Sequence, residues 1–445
     1  MRKILIAGTM SGSGKTTVSS ILMSAFENTA PFKVGPDYID PSYHAIFTGN
    51  KSYNLDAFMY NEETLKFIFS SNSSGKNISI IEGVMGLYDG LGHSKENFST
   101  AHVSKMLNVP VILVVNAKGI STSIAAEVLG FKLFDEEVNI AGVILNNVSS
   151  EKLYLNLKEA IEIYTGIECL GYLPKSDEIG IESRHLGLKQ AFEIEGIKEK
   201  KEVLKKIAEK YLDLEKIYKI SYSEEEFQAE NPALKLKDKL KGKKIAIAKD
   251  SAFSFYYESN LDLIRYSGLE IEEFSPINDE KVPDADFIYM GGGYPELYSK
   301  ELSENESMKK SIFKAYENNI PIYAECGGFI YLTEGLETLD KKFFEFCGIF
   351  DIKILMKDRL NIGRFGYINI DFKEGISFRG HEFHYSEISY NNEKENQFKI
   401  KKDNGRNWEC GYRKKNVLAG YPHIGFYSNL EFFEFLFGSL GNWQS

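Results

Sequence analysis

The chain has 445 residues, 43% of them apolar, which exceeds one ordinary domain core and predicts at least two domains. A formal charge of −11, from 53 basic and 64 acidic side chains, disfavours a nucleic-acid partner. Four scattered cysteines without a CxxC pair disfavour a disulfide framework or a zinc site, and no apolar run approaches the roughly 18 residues of a membrane span. We therefore expect a cytoplasmic protein that has no membrane partner.

The first part of the chain alternates short apolar runs with helical patterns, which is typical of a parallel sheet joined by crossover helices. We predict buried strands at residues 4–7, 32–34, 78–82, 109–115, 140–145 and 169–173, with helices at residues 16–26 and 121–134. The pattern predicts an α/β fold, a P-loop doubly wound parallel sheet over residues 1–195, whose ligands gather at the carboxyl ends of the strands.

The first predicted strand leads into a glycine-rich loop, GTMSGSGKT at residues 8–16, that opens a helix. Backbone N–H groups of such a loop surround phosphate oxygens, Lys15 reaches the outer phosphates, and the Thr16 hydroxyl can hold Mg²⁺. The loop is one residue longer than the usual Gly-x4-Gly-Lys-Thr spacing, and the alternative is a glycine-rich turn with a solvent-exposed lysine. The residues predicted to bind ATP are Gly8, Gly12, Ser13, Gly14, Lys15, Thr16 and Thr17.

Two acidic clusters follow at predicted strand ends, KVGPDYIDP at residues 33–41 and EGVMGLYDG at residues 82–90. A carboxylate at the end of an apolar strand, such as Glu82, is costly unless it meets a cation, and Mg²⁺ beside the phosphates would supply one. Asp37 and Asp40 have an alternative in ordinary turn chemistry, because aspartate beside proline and glycine is common in loops. Two such clusters at one edge of a sheet favour a ligand site.

Lysine and glutamate dominate residues 196–242, which predicts a charged helical and linker segment. The alternation of predicted strands and helices then resumes, with strands predicted at residues 244–249, 287–290 and 321–324 and a helix near residues 308–318. We therefore place a second domain at residues 243–440.

A cysteine follows the predicted strand at residues 321–324, in the sequence AECGG at residues 324–328. A strand, a sharp turn of small residues and a helix expose such a sulfur, and we expect the helix N-terminus to lower the thiol pKa of Cys326. The loop GGGYPEL at residues 291–297 offers the backbone amides of Gly291, Gly292 and Gly293 as an oxyanion hole, and His423 is the candidate general base. The alternative for Cys326 is a buried, inert cysteine, which is the favoured interpretation of Cys169 and Cys347.

Two further histidines, His381 and His384, lie close together in the sequence RGHEFHYS at residues 379–386. Two histidines this close in the sequence could be a pair of metal ligands. Their spacing of three and their strand-like flanks favour a substrate-facing or structural role.

Together these motifs resemble the cobyrinate a,c-diamide synthase family, from about residue 3 to about residue 430. That family joins an ATP domain similar to dethiobiotin synthetase to a class I glutamine amidotransferase domain. The resemblance therefore implies a flavodoxin-like α/β fold for residues 243–440. The longer phosphate loop is the spacing found in the dethiobiotin synthetase group.

The resemblance also implies a reaction, the ATP-dependent amidation of the a and c carboxylates of cobyrinic acid through an acyl phosphate, in cobalamin biosynthesis. Cys326 would attack L-glutamine with help from His423, and the ammonia released would displace phosphate. Thr16 and Glu82 are the magnesium ligands that the resemblance favours. The synthetase site of the family corresponds here to Asp37, Tyr38, Ile39, Asp40, Glu82 and Asp89.

The sequence departs from the amidotransferase pattern at two positions and leaves other functions open. Gly425 replaces the glutamate that often follows the histidine by two residues, and Ala324 replaces the first glycine of the nucleophile motif. Hydrogenobyrinate and nickel-sirohydrochlorin are alternative substrates, and a nucleotide-dependent switch with a degenerate amidotransferase domain is the alternative of another class. A homodimer through the aromatic tail at residues 426–437 is also considered, although core packing is the favoured interpretation of that tail.

Overall fold

The computed structural model describes residues 1–175, 183–184, 187–188, 196–225, 227, 229–360 and 362–438. The chain divides into two compact units, Met1–Pro232 and Ala233–Ser445. The ends predicted for the two domains, at residues 195 and 440, lie outside the described residues. No helix in the described ranges is both long and apolar enough to cross a membrane.

The first unit is built on a seven-stranded sheet in which every pair of neighbours is parallel, in the order β3-β2-β4-β1-β5-β6-β7. This confirms the predicted fold class. The strands are β1 (Lys3–Gly8), β2 (Thr29–Val34), β3 (Tyr53–Leu55), β4 (Ile78–Glu82), β5 (Val111–Asn116), β6 (Ile140–Val148) and β7 (Cys169–Pro174). The helices are α1 (Lys15–Ala25), α2 (Ile39–Thr48), α3 (Glu62–Ser73), α4 (Thr100–Met106), α5 (Ser123–Phe134), α6 (Glu151–Thr165), α7 (Ile197–Tyr211) and α8 (Leu214–Ile220). A short antiparallel pair, β8 (Ser183–Arg184) and β9 (Gly187–Leu188), completes the unit.

The order of the central strands positions the first site. Strands β2, β4 and β1 are neighbours, so their carboxyl ends lie at one edge of the sheet. Lys33 of β2 is in register with Glu82 of β4, which places the two side chains on the same face of the sheet.

The charged segment contributes to the core of the first unit. Leu204 and Ala208 of α7 and Ile217 of α8 are almost fully buried and belong to the same apolar cluster as Ile4 and Val18. A surface helix buries one stripe and exposes the rest, and here lysine and glutamate occupy the exposed part. The composition of the segment therefore does not reveal its packing.

The second unit contains fourteen strands and five α-helices within its described residues. Its strands are β10 (Lys244–Ala248), β11 (Glu270–Phe274), β12 (Phe287–Met290), β13 (Ile322–Glu325), β14 (Thr333–Glu337), β15 (Phe343–Glu345), β16 (Phe350–Met356), β17 (Gly366–Phe372), β18 (Ser377–Glu382), β19 (Ser386–Asn391), β20 (Asn396–Lys401), β21 (Asn407–Lys414), β22 (Val417–Gly420) and β23 (His423–Ile424). Its helices are α9 (Glu258–Tyr266), α10 (Ser299–Glu304), α11 (Glu306–Glu317), α12 (Gly327–Leu332) and α13 (Leu430–Phe433).

Ten of these strands form one sheet in the order β11-β10-β12-β13-β22-β21-β20-β17-β18-β23. The five strands from β11 to β22 run parallel, and the others pair antiparallel. A four-stranded sheet, β15-β14-β16-β19, lies in the same unit. Three of the parallel strands end at Met290, Glu325 and Gly420, and the segments after these residues carry the second site.

Candidate active sites

The phosphate loop lies between the end of β1 at Gly8 and the start of α1 at Lys15. Gly14 has a φ of +108°, and a Cβ there would lie 2.1 Å from Asn146 Nδ2, so only glycine fits. The Asn146 side chain donates a 2.9 Å hydrogen bond to the Ser13 carbonyl, which fixes the loop from β6. Burial and the nearby Lys33 charge lower the pKa of Lys15. Thr16 and Thr17 follow in the first turn of the helix.

One hydroxyl of this loop is buried without a hydrogen bond. Among the described residues nothing accepts from or donates to Ser13 Oγ, although the atom is shielded from solvent. Buried polar atoms normally have partners, so an orphaned hydroxyl in a glycine-rich loop fits a phosphate oxygen as its missing partner.

Lys33 is the cation of a buried acidic cluster at the carboxyl edge of the sheet. Its ammonium lies 2.5 Å from Asp40 Oδ2, 2.9 Å from Glu82 Oε1 and 3.9 Å from Asp37 Oδ2. Burial alone would lower the pKa of Lys33, but the three carboxylates raise it above its ordinary value. The carboxylates were predicted from the sequence, and the structure adds the lysine that neutralises them.

Glu82 is the most enclosed member of this cluster. Burial alone would raise its pKa, but the Lys33 charge and hydrogen bonds from His44 and Thr16 lower it. Burial, together with the charges of Asp37 and Glu82, raises the pKa of Asp40, and Lys33 offsets this only in part. One cation therefore keeps Glu82 ionised and leaves Asp40 the easier carboxyl to protonate.

His44 is a site residue that the sequence analysis missed. Its Nε2 donates a 2.8 Å hydrogen bond to Glu82 Oε2, because a carboxylate only accepts, and its Nδ1 lies 3.0 Å from Ser52 Oγ. The Thr16 hydroxyl donates a 2.6 Å bond to the other oxygen of Glu82. The available signal was position, since His44 follows Asp40 by four residues and so shares its helix face.

The remaining predicted residues of the first site lie in the turns around it. Asp37 Oδ1 accepts the backbone N–H of Ile39 at 2.8 Å, and Asp89 Oδ2 accepts that of Gly86 at 2.9 Å. Tyr38 immediately precedes α2 and Ile39 begins it. Turn chemistry therefore accounts for one oxygen of Asp37 and one of Asp89, and the second oxygen of Asp37 faces Lys33 at 3.9 Å.

The nucleophile candidate lies at a strained turn between β13 and α12. Cys326 has φ of 45° and ψ of −100°, a conformation that residues with a side chain rarely adopt. Its backbone N–H donates to the Gly420 carbonyl at 2.7 Å, which holds the turn against the end of β22. The expected elbow is therefore present.

The expected lowering of the thiol pKa is wrong. Cys326 is only 5% exposed, and burial raises its pKa, with further contributions from the charges of Glu296, Glu382 and Glu325. The helix that follows is only six residues long, so its dipole does not overcome three carboxylates and the loss of water.

The triple-glycine loop lies against both the cysteine turn and His423. The N–H of Gly328 donates to the Gly291 carbonyl at 2.9 Å, and a Cβ on Gly327 would lie 3.0 Å from the Gly293 nitrogen. A Cβ on Gly292 would lie 2.3 Å from His423 Cε1. The loop must therefore be glycine where the ring packs on it.

His423 is buried in β23 beside a second imidazole. Its ring stacks on that of His381 with the centroids 5.0 Å apart, and the two residues are paired between β23 and β18. Its Nδ1 lies 3.7 Å from Oε2 of Glu325, the residue directly before the cysteine. The sequence motifs revealed no third member for this pair, because the usual position two residues after the histidine is Gly425.

His381 and His384 contact side chains and a backbone carbonyl of the second unit. His381 Nδ1 lies 3.0 Å from the Tyr257 hydroxyl, and burial beside His423 lowers its pKa well below the ordinary value. His384 contacts Glu382 and the Ser386 carbonyl, and its ring stacks on Tyr421 at 3.8 Å. Across the described ranges no group of three His, Cys, Asp or Glu side chains is arranged to hold a metal ion.

A phosphate-loop unit and a unit with a cysteine elbow on one chain define an ATP-using glutamine amidotransferase, and two family models agree with this class. A CobQ/CobB/MinD/ParA nucleotide binding domain matches residues 4–188, and a CobB/CobQ-like glutamine amidotransferase domain matches residues 244–430. The two matches cover both candidate sites.

Curated relatives align with the chain over nearly its whole length. The cobyrinate a,c-diamide synthase of Fusobacterium nucleatum is 51% identical over 98% of this chain and 100% of its own. Its counterpart in Listeria innocua is 45% identical over 99% of both chains, and that of Caldanaerobacter subterraneus is 43% identical over 97% and 96%. The chain therefore belongs to the cobyrinate a,c-diamide synthase family, and the resemblance drawn from its motifs is confirmed.

Proposed function

We propose that this chain converts cobyrinic acid to its a,c-diamide, using ATP and glutamine, in cobalamin biosynthesis. The observation that carries the proposal is the full-length similarity to relatives of that name, which spans both units. The presence of Cys326, His423 and the buried Lys33–Glu82 pair supports it, because each belongs to one half of the reaction.

In the second unit, glutamine would supply the nitrogen. Cys326 Sγ gives its proton to His423 and attacks the amide carbon, while the N–H groups of Gly292 and Gly293 stabilise the oxyanion. The N–H of Gly291, also expected from the sequence to be a donor here, instead donates to the Tyr256 hydroxyl at 2.7 Å. His423 then protonates the departing nitrogen, the C–N bond breaks, and ammonia leaves. Water hydrolyses the glutamyl thioester to glutamate and restores the thiol.

In the first unit, an oxygen of a peripheral carboxylate would attack the γ-phosphorus of ATP, giving ADP and an acyl phosphate. Ammonia then attacks the acyl carbon and phosphate leaves, so each round consumes one ATP and forms one amide. Gly12, Gly14 and Lys15 hold the ATP phosphates. The Lys33 ammonium offsets charge that develops on the transferring group, although Asp40 and Glu82 already share it.

Mg²⁺ fits the chemistry of this edge as a companion of ATP. Magnesium is usually held by one or two protein groups together with phosphate oxygens and water, so a cage of three carboxylates is not needed. Thr16 uses its proton on Glu82 and so keeps oxygen lone pairs for the ion. Glu82 already accepts hydrogen bonds from Thr16, Lys33 and His44. Its main contribution to holding Mg²⁺ would therefore be to orient the Thr16 hydroxyl. The ion supplies charge neutralisation at the phosphates when it is bound.

The test is diamide formation from cobyrinic acid and Mg·ATP, with glutamine or ammonium as nitrogen source. Wild type should use both sources, whereas Cys326→Ala should use ammonium only. Cys347→Ala is the matched control, because this cysteine belongs to the same buried apolar cluster as Cys326 but lies outside the turn between β13 and α12. It should keep both activities.

Three other outcomes would each change the assignment. Full glutamine-dependent activity in Cys326→Ala would remove Cys326 as nucleophile. ATP hydrolysis without amidation of cobyrinic acid would move the substrate to hydrogenobyrinate or nickel-sirohydrochlorin. No glutamine hydrolysis at all would favour the nucleotide switch. Homodimer formation stays a prediction, and light scattering on the purified chain tests it.

A further inference from the structure

Glu325 is a buried carboxylate that directly precedes the candidate nucleophile, and its side chain is 2% exposed. It accepts hydrogen bonds from the hydroxyls of Tyr323 at 2.8 Å and Tyr289 at 3.2 Å, and from the N–H of Ile424 at 3.3 Å. Its Oε2 lies 3.7 Å from His423 Nδ1. The carboxylate therefore contacts the ring of His423 and the backbone of the residue that follows it.

The sheet explains why these groups meet. Side chains two apart on a strand share a face, so Tyr323 and Glu325 of β13 point the same way. Tyr289 of β12 is in register with Tyr323 and stacks on it with the ring centroids 5.5 Å apart. Two central strands thus build a fixed set of donors around one carboxylate.

The charges around Glu325 single out His423 as its acid–base partner. Burial and the Glu325 charge raise the pKa values of Tyr289 and Tyr323 well above the ordinary value, so both hydroxyls stay neutral donors. The ring of His381, which stacks on that of His423, faces the Tyr257 hydroxyl, and burial lowers its pKa well below the ordinary value. Of the two stacked imidazoles, the one beside the carboxylate is His423.

We infer that Glu325 is the carboxylate that positions His423 for catalysis, in the role that Gly425 cannot fill. The inference rests on the proposed glutamine hydrolysis. Glu325 accepts the Nδ1 proton of His423, so that Nε2 is the unprotonated nitrogen that takes the proton of Cys326 Sγ, and the Glu325 charge stabilises the imidazolium that forms. The distance of 3.7 Å exceeds a hydrogen bond, and such contacts commonly shorten when substrate binds.

The test compares glutamine hydrolysis by wild type, Glu325→Gln and Glu325→Asp in the full chain, with ammonium-dependent amidation as the internal reference. The Glu325→Gln side chain has lost the charge but keeps the shape of glutamate, whereas the Glu325→Asp side chain keeps the charge but is shorter. For Glu325→Gln we expect kcat for glutamine hydrolysis to fall roughly 100-fold or more with KM little changed, because the lost interaction belongs to the transition state. Amidation with ammonium should stay at the wild-type rate.

A second readout separates positioning from a merely structural role. In Glu325→Gln the pH profile of glutamine hydrolysis should move toward lower pH, since the protonated imidazole loses its neighbouring anion. Glu325→Asp should recover at least a tenth of the wild-type kcat and its profile. Thermal unfolding of each variant reports whether the second unit is folded.

The inference is overturned if Glu325→Gln keeps kcat within threefold of wild type. It is equally overturned if both Glu325→Gln and Glu325→Asp lose glutamine hydrolysis while the pH profile of the remaining activity is the same as that of wild type. That result would indicate a structural role for Glu325. If the wild type itself hydrolyses no glutamine, the proposed function fails and this inference falls with it.

Discussion

The Thr16 hydroxyl donates a 2.6 Å hydrogen bond to Glu82 Oε1, and this bond joins the helix of the phosphate loop to the end of β4. His44 and Lys33 complete the surroundings of the same carboxylate. Glu82 therefore connects α2, which carries the candidate substrate residues, to the residues that would hold ATP. A change at Glu82 should disturb both halves of the synthetase reaction while leaving the second unit intact.

We expect Glu82→Gln to lower amidation about 100-fold or more with either nitrogen source, because the uncharged amide no longer balances Lys33. Glutamine hydrolysis should continue. Steady-state rates of amidation and of glutamate release from the same preparation measure the two effects.

Asp135→Asn is the matched control for Glu82→Gln. Asp135 is also a buried carboxylate paired with a lysine, Lys105 at 3.1 Å, but it lies outside the candidate site. Removing one partner of a buried pair costs about 3–5 kcal/mol of stability at most, and amidation by the folded protein should be preserved. Equal losses of amidation in both variants would show that Glu82 matters only for folding.

The packing of the His423 ring on Gly292 gives a prediction for the second unit. Gly292→Ala would place a methyl group 2.3 Å from the present position of His423 Cε1, so the ring must move. We expect glutamine-dependent amidation to fall at least about tenfold, since small misplacements of catalytic groups are costly. Amidation with ammonium should persist. Gly130→Ala is the control, because its added Cβ meets nothing within 4 Å; an equal loss in that variant would contradict the prediction.

The sequence predicted the sheet of the first unit because its strands include continuous apolar runs such as residues 111–115, which are buried on both faces. It predicted the elbow because a strand, a cysteine and two glycines have few other structural uses. It did not predict His44 or Glu325, since each acts through a neighbour brought close by the fold rather than through a motif. Nor did it predict the shift in the Cys326 pKa, because burial is a property of the packed core and not of the turn.

The raised pKa of Cys326 predicts a thiol that is unreactive in the resting protein. Because the thiolate is the reactive form, alkylation by iodoacetamide at pH 7 should be far slower than in the urea-unfolded chain. An electrophilic glutamine analogue should label Cys326 faster than iodoacetamide does, since binding at the proposed glutamine site brings its acceptor carbon to the thiol. Peptide mapping measures both rates, and Cys347, which is also buried with a raised pKa, should stay unlabelled by the analogue. Rapid stoichiometric alkylation of Cys326 at pH 7 would contradict this picture.

Lys3 gives a prediction about stability and pH that is independent of either active site. Its ammonium is buried in β1, where it donates to the Leu107 carbonyl at 3.0 Å and lies 4.3 Å from the centre of the Phe227 ring. Burial lowers the pKa of Lys3 to about 8, and the Glu225 charge opposes the shift only in part. Between pH 8 and about 10.4, the ordinary lysine value, the unfolded chain therefore binds more protons at this residue than the folded chain does.

The sign follows from this difference in bound protons: stability at this residue rises with pH through that window, by at most about 1.4 kcal/mol per pH unit. Lys3→Met removes the titrating group, so wild type should gain free energy of unfolding relative to the variant between pH 8 and pH 10, as measured by urea titrations. Lys300→Met is the control, because Lys300 is 70% exposed in a surface pair with Glu304. The difference in free energy of unfolding between wild type and Lys300→Met should stay nearly constant over the same pH range. A constant difference between wild type and Lys3→Met over the same window would mean that Lys3 keeps its proton in the folded state, and that the carbonyl, ring and carboxylate around it compensate fully for its burial.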